Sequence, residues 1–377
     1  MSLLLDKSVG CLVGAAVGDA LGGATETALP EQIRARYGGW VEGIVPPYHA
    51  DWATARPLAP YHKGDGHITD DTLMTHALVR VYARKRDHLD AFDVVDRLVP
   101  DLIERVVYIP DLEREGVAFH RLAAAERWLV TRLHHAHADP REAGVGNIVN
   151  CGAAMYMAPV GIVNAGDPAG AYAEAADLTG AHQHSYGREA AAVFAACVAA
   201  AAAPGAAVDD VVAAALDLAR DGTRAAVDAV VKEARGHTDW RAAIPALRAA
   251  VAPFDTVGEE YHNPGLGARR PSRVHAIEEL PVAIGMLVVA AGDFRDAVLG
   301  AVNYGRDADS TATMAGAIAG ALGGSAAVPA QWSAAVAEAS RTDLVLPATV
   351  LAEVAAEVFA RDRDRFARRA ERFGGLT

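Results

Sequence analysis

Two short runs near opposite ends of the chain, Thr69-Asp70-Asp71-Thr72 and Asp307-Ala308-Asp309-Ser310-Thr311, combine carboxylates with hydroxyls. Carboxylates brought together repel and raise one another's pKa, so a fold that gathers them calls for a cation. Oxygen donors of this kind suit Mg²⁺, Mn²⁺ or Ca²⁺ rather than a thiolate-preferring metal. Neighbouring helix residues point roughly 100° apart, so Asp70 and Asp71 would serve two adjacent ions, or one ion and a water. Asp307 and Asp309, one residue apart in a turn before a helix starting at Ser310-Thr311, can converge on one ion, with Ser310 adding a neutral oxygen. Either run taken alone also reads as a helix cap. An EF-hand fits poorly, because Ala312 and Ile318 stand where its glycine and bidentate glutamate belong. A phosphatase-type Asp-x-Asp lacks a preceding apolar strand, and Asp70-Asp71-Thr72-Leu73-Met74 lacks the third Asp of a prenyl-diphosphate motif.

The elements that must position these residues are predicted to be helices. Gly10, Gly14, Gly18 and Gly22 recur every fourth residue, as do Gly316, Gly320 and Gly324, giving two smooth helix faces that can approach closely at the centre of a bundle. Thr69 caps a helix from Asp70, with Leu73, Ala77, Leu78 and Val81 on its apolar face. From Pro30 to Gly66, prolines and glycines with Trp40, Tyr48, Trp52 and Tyr61 read as a long loop of the kind that covers sites. Further helices are predicted over 91–107, 115–136, 168–179, 187–202, 206–220, 223–235, 240–251, 329–340 and 347–369. A second loop, His262-Asn263-Pro264-Gly265-Leu266-Gly267, precedes Arg269 and Arg270, which face solvent or bind an anionic part of a substrate. His134, His135 and His137 read as a solvated helix end rather than a metal cluster.

The composition agrees with an all-α protein. Apolar residues make up 52% and aromatics 6%, with much of the apolar share alanine. At 377 residues one compact domain, 1–377, is expected. The formal net charge of −13 and the absence of a basic block argue against a nucleic-acid face or an anionic-membrane anchor. Cys11, Cys151 and Cys197 form no close-spaced metal motif and, being odd in number, no complete disulfide framework, which fits a reducing cytoplasm. No stretch reads as a signal peptide or membrane span.

Taken together the motifs resemble the ADP-ribosylglycohydrolases. The likeness rests on Gly10-Cys11-Leu12-Val13-Gly14-Ala15-Ala16-Val17-Gly18-Asp19-Ala20-Leu21-Gly22 with Glu26, on Thr69-Asp70-Asp71-Thr72, on Asn150-Cys151-Gly152-Ala153-Ala154-Met155-Tyr156-Met157-Ala158-Pro159, on His182-Gln183-His184 and on Gly305-Arg306-Asp307-Ala308-Asp309-Ser310. The resemblance implies an all-α fold with two Mg²⁺ ions in a cleft (Mn²⁺ being the alternative) and hydrolysis of the bond between the anomeric carbon of ADP-ribose and an acceptor. It places Thr69, Asp70, Asp71, Asp307, Asp309 and Ser310 at metal-ligand positions. Glu26 falls on a glutamate that reaches the metal site or a reacting water.

Breaking a ribosyl bond develops positive charge at the anomeric carbon, and bound ions would orient the ribose hydroxyls and activate water. Asp307 acts within this centre, and either Asp71 or Glu26 orients or deprotonates the water. The small residues Gly152, Ala153 and Ala154, with Asn150, Met155 and Tyr156, form a loop whose backbone N–H groups can approach phosphate, and the resemblance places His182 near the nucleotide. Tyr156 departs from the arginine common in the family. The expected substrate is ADP-ribose on a protein side chain, arginine first or serine, or on a small molecule. The alternatives are a non-catalytic ADP-ribose or nucleotide-binding protein and a related metal-dependent riboside hydrolase.

Overall fold

The computed structural model describes residues 1–54, 61–254 and 276–376. Helices dominate it. At the centre two helices, Leu3–Gly22 and Ala308–Gly323, run antiparallel with their glycine ladders in register. A Cβ on Gly10 would stand 2.2 Å from the carbonyl oxygen of Gly320, one on Gly14 2.5 Å from that of Gly316, and one on Gly18 2.0 Å from that of Ala312. Backbones this close leave no room for a side chain, so packing alone accounts for these glycines. The same register sets Gly22 against Ala308 and Asp309. The segment that follows the first helix therefore shares one end of the core with the start of the second.

Other helices wrap this pair. Ser185–Ala201 and Ala276–Val289 are buried along most of their length, as their nearly uninterrupted apolar sequences require. Val345–Gly374 packs its first turns on the core and then leaves it, exposing Phe359, Phe366 and Phe373. The alanine-rich stretch divides at Pro204-Gly205, between Ser185–Ala201 and Val208–Leu218, as predicted.

Three local expectations are corrected. The stretch from Pro30 begins as a helix, Pro30–Tyr37, because proline is favourable at the first helical position and the Leu29 N–H donates to Gln32 Oε1 at 2.8 Å. It becomes loop only from Gly38. The helix predicted over 91–107 ends at Glu104, and the one over 115–136 forms from Ala124 with a wider π-type turn through His135. Between them Val106–Ile109 (β1) pairs antiparallel with Arg114–Val117 (β2), the one sheet among the described residues. The Val-Val-Tyr-Ile run prefers a pleated strand, and the tight turn after Pro110 returns the chain at once. The loop predicted at His262–Gly267, with Arg269 and Arg270, lies outside the described residues, as do Pro57 and Pro60. Among those described, no helix is long and apolar enough to cross a membrane.

Candidate functional site

The first acidic run begins the Asp70–Lys85 helix, with Thr69 as its cap. Asp19, in the last turn of the first glycine helix, does most of the capping. Its carboxylate accepts from Thr69 N at 3.0 Å, from Thr69 Oγ1 at 2.6 Å, from Thr72 N at 3.1 Å and from the Thr72 hydroxyl. Thr69 Oγ1 accepts in turn from Asp71 N at 3.3 Å. Asp70 and Asp71 are thus relieved of capping, which removes the simplest non-functional account of them. Burial pushes the Asp19 carboxyl up to about 7 against the lowering effect of these hydrogen bonds.

The second run is set by an irregular turn. Gly305 and Arg306 take positive φ, 74° and 59°, and a Cβ on Gly305 would meet the Ala28 carbonyl oxygen at 2.0 Å. Thr27 N donates to Arg306 O at 2.6 Å and Arg306 N to Ala28 O at 2.8 Å. This exchange ties the segment bearing Glu26 to the start of the Ala308–Gly323 helix. The helix begins two residues before the predicted Ser310-Thr311, with Asp307 at the cap position but making no side-chain capping bond. Cys151 Sγ donates to Asp307 Oδ2 at 3.0 Å and lies 3.1 Å from Ser310 Oγ.

Both runs therefore deliver carboxylates to one buried end of the core, at the N-termini of two helices whose dipoles favour negative charge there. The carboxylates act on one another's pKa. Asp71 is pushed well above the usual carboxylate range by burial and then by Asp309, Asp19, Asp70 and Asp307. Asp307 is raised by burial and by Asp309. Asp309 goes the other way. Burial would raise it, but His62 carries it down to about 2.

His62, from the loop after Gly38, supplies a counter-charge at the centre. Its Nε2 lies 2.7 Å from Asp309 Oδ2 and 3.3 Å from Glu26 Oε2, and its Nδ1 3.4 Å from Asp111 Oδ2. Burial would lower its pKa, yet Asp309 and Glu26 raise it well above the ordinary value. Arg121, buried, binds Asp111 Oδ2 at 2.7 Å and approaches Asp70 Oδ1 at 3.8 Å. Asp71 Oδ2 and Asp309 Oδ1 remain buried without a hydrogen-bond partner among the described residues. Unpartnered carboxylate oxygens in a buried acidic cluster are what a bound divalent cation would satisfy, so the donor set fits one. Glu26, His62 and Asp309 bring one donor atom each within 4.8 Å of one another, as do Cys151, Glu279 and Asp307, whereas the predicted ligands Asp70 and Asp71 belong to neither group.

The middle loop forms a tight turn from Cys151 to Ala153 under Asn150, whose side chain accepts from Gly152 N at 3.1 Å. Ala153 N donates to Gln183 Oε1, and Ala154 N and Met155 N to Cys151 O. The N–H groups expected to meet phosphate are thus engaged within the turn. Tyr156 is buried with its hydroxyl 3.0 Å from His182 Nδ1, and His182 Nε2 lies 3.5 Å from Glu126 Oε1. Burial lowers His182 to about 4 and raises Glu126 to about 8, so the imidazole is neutral near pH 7.

Sequence reasoning assigned no role to His62, Asp111, Arg121, Glu126 or Glu279. None belongs to a spaced motif, and only the aromatic loop around His62 was marked as a cover. Asp19 lies within the glycine motif, where nothing in the sequence marks it as a cap. His134, His135 and His137 are exposed, as expected.

A family model described as ADP-ribosylglycohydrolase matches residues 1–367. A solved structure titled "ADP-ribosylglycohydrolase-related protein complex" is similar in fold, with a TM-score of 0.51 and 21% identity over 94% of this chain and 100% of that one. No curated protein matches the chain significantly.

Proposed function

Because the chain belongs to the ADP-ribosylglycohydrolase family, and so to a group of hydrolytic enzymes, we propose that it cleaves the glycosidic bond between ADP-ribose and an acceptor such as an arginine or serine side chain. The observation that carries this reading is the pair of buried, unpartnered oxygens, Asp71 Oδ2 and Asp309 Oδ1, in one acidic cluster. Thr69, Asp70, Asp71, Asp307, Asp309 and Ser310 would hold one or two Mg²⁺ ions, with Mn²⁺ as substitute. Such ions polarise water and ribose hydroxyls and offset developing negative charge.

The chain's own groups supply the rest. Asp71 or Glu26 takes the proton of the attacking water as its oxygen forms a bond to the anomeric carbon, and the bond to the acceptor breaks with its electron pair leaving on the acceptor. His62 holds Asp309 and Glu26 in place from the loop side. Asn150, Gly152, Ala153, Ala154, Met155, Tyr156 and His182 form the floor against which the nucleotide would lie. The whole chain acts as one domain, 1–377. The cysteines among the described residues are buried and unpaired, in keeping with a reducing cytoplasm.

The neutral Tyr156–His182 pair favours a second reading, a riboside hydrolase whose substrate lacks the diphosphate. Incubation with ADP-ribosyl-arginine, an ADP-ribosyl-serine peptide and simple nucleosides, each with Mg²⁺ and with chelator, separates the readings. Mg²⁺-dependent release of ADP-ribose supports the first. Turnover of nucleosides alone supports the second, and tight ADP-ribose binding without turnover of any riboside contradicts both.

A further inference from the structure

Two adjacent glutamates in the Ala276–Val289 helix have opposite surroundings. Glu278 is saturated: Arg306 Nη2 stands 2.9 Å from it, the Tyr304 hydroxyl donates to it at 2.7 Å, and Arg248 binds it as well. Glu279 is 2% exposed, and neither of its carboxylate oxygens has a hydrogen-bond partner among the described residues. It faces Cys151 and Asp307, and one donor atom from each of the three lies within 4.8 Å of the others. Leaving a buried carboxylate bare costs more than leaving out the residue, so this arrangement calls for something to meet it.

We infer that Cys151, Glu279 and Asp307 form a thiol-bearing position for a borderline divalent cation, of the Zn²⁺ or Co²⁺ class, beside the oxygen-only centre, with Ser310 Oγ as a neutral fourth donor. In a tetrahedral shell with metal–ligand distances of about 2.0–2.3 Å, donor atoms stand about 3.3–3.8 Å apart. The thiol lies 3.0 Å from Asp307 Oδ2 and 3.1 Å from Ser310 Oγ, close enough for small side-chain shifts to complete the shell. A sulfur donor gives this position a preference for Zn²⁺ or Co²⁺ over Mg²⁺ that the Asp70–Asp71 side does not share. The inference rests on the proposed hydrolytic centre for two shared ligands, Asp307 and Ser310.

The test is a Co²⁺ titration of the metal-free, full-length protein in excess Mg²⁺, read by the thiolate-to-cobalt charge-transfer absorption in the near ultraviolet. The expected result is a band that saturates at one Co²⁺ per chain, is displaced by Zn²⁺, vanishes in Cys151→Ser and forms at least tenfold more weakly in Glu279→Gln. The wild-type titration decides whether the position exists without any substitution. No band at saturating Co²⁺, a band that survives in Cys151→Ser, or an unchanged midpoint in folded Glu279→Gln would each overturn the inference. Release of ADP-ribose in Mg²⁺ alone is scored separately. A band without release defeats the hydrolase reading and leaves this position standing, while release without a band does the reverse.

Discussion

At the scale of single residues, buried carboxylates crowd one another in a way that a bound cation would relieve. Asp71 is buried, crowded by Asp309, Asp19, Asp70 and Asp307, and has one oxygen without a partner. Asp71→Asn should therefore raise the melting temperature of the metal-free protein while removing most of the rise that Mg²⁺ produces, a pairing of effects that calorimetry with and without chelator would resolve. An unchanged Mg²⁺-induced rise would contradict its role. Asp309→Asn should lower kcat for ADP-ribose release on the order of 10²–10³-fold. Arg121→Met removes the nearer of the two buried partners of Asp111, leaving His62, and should destabilise the protein by about 3 kcal/mol in denaturant titration, as breaking one side of a buried ion pair does. The acidic residues were legible because they come in spaced runs with hydroxyls. His62, Asp111, Arg121 and Glu279 were not, since each is a single residue whose meaning arises only when distant segments meet.

At the scale of elements, two glycine ladders decide where the acidic helix starts lie. Gly18→Ala would set a methyl 2.0 Å from the Ala312 carbonyl oxygen, a rigid backbone neighbour. It should cost about 1–3 kcal/mol or more and depress activity, because Asp19 and Asp309 ride on the two helices it would separate. This packing was readable from four-residue spacing. The β1–β2 hairpin was not, because its strands are only four residues long and the second, with Arg114, Glu115 and Gly116, shows no alternating apolar pattern. A second element-level device joins three helices: His88, just beyond the Asp70–Lys85 helix, binds Glu174 Oε2 at 2.5 Å and Asp362 Oδ2 at 2.8 Å. Glu174 first, against opposing burial and with Asp362 helping, raises His88 to about 9. A raised folded-state pKa means the contribution is fully present below the unfolded value of ~6.5 and fades as pH rises through about 9. The stability difference between wild type and His88→Gln, on the order of 1–2 kcal/mol after allowing for partial exposure, should close between those pH values. A constant difference would refute the linkage.

At the scale of the whole molecule, helices from both ends of the chain meet so that one buried acidic cluster is built from segments near residues 19–26, 62, 70–71, 151, 279 and 307–310. A ligand held by so many segments stabilises them all by mass action, about 2.7 kcal/mol at a hundredfold excess over its Kd. Chelation should therefore lower the melting temperature of the protein as a single transition. The all-α architecture followed from composition and helix-period patterns. The acceptor did not, because no motif in the sequence distinguishes one acceptor from another. The Asp70-Asp71 and Asp307–Asp309 helix starts are proposed to share a cation. The most direct test is anomalous scattering from crystals grown with Mn²⁺. The account predicts a peak within about 2.2 Å of both Asp71 Oδ2 and Asp309 Oδ1, or a pair of peaks bridging them. Fully formed crystals in Mn²⁺ with no peak between these carboxylates would contradict it.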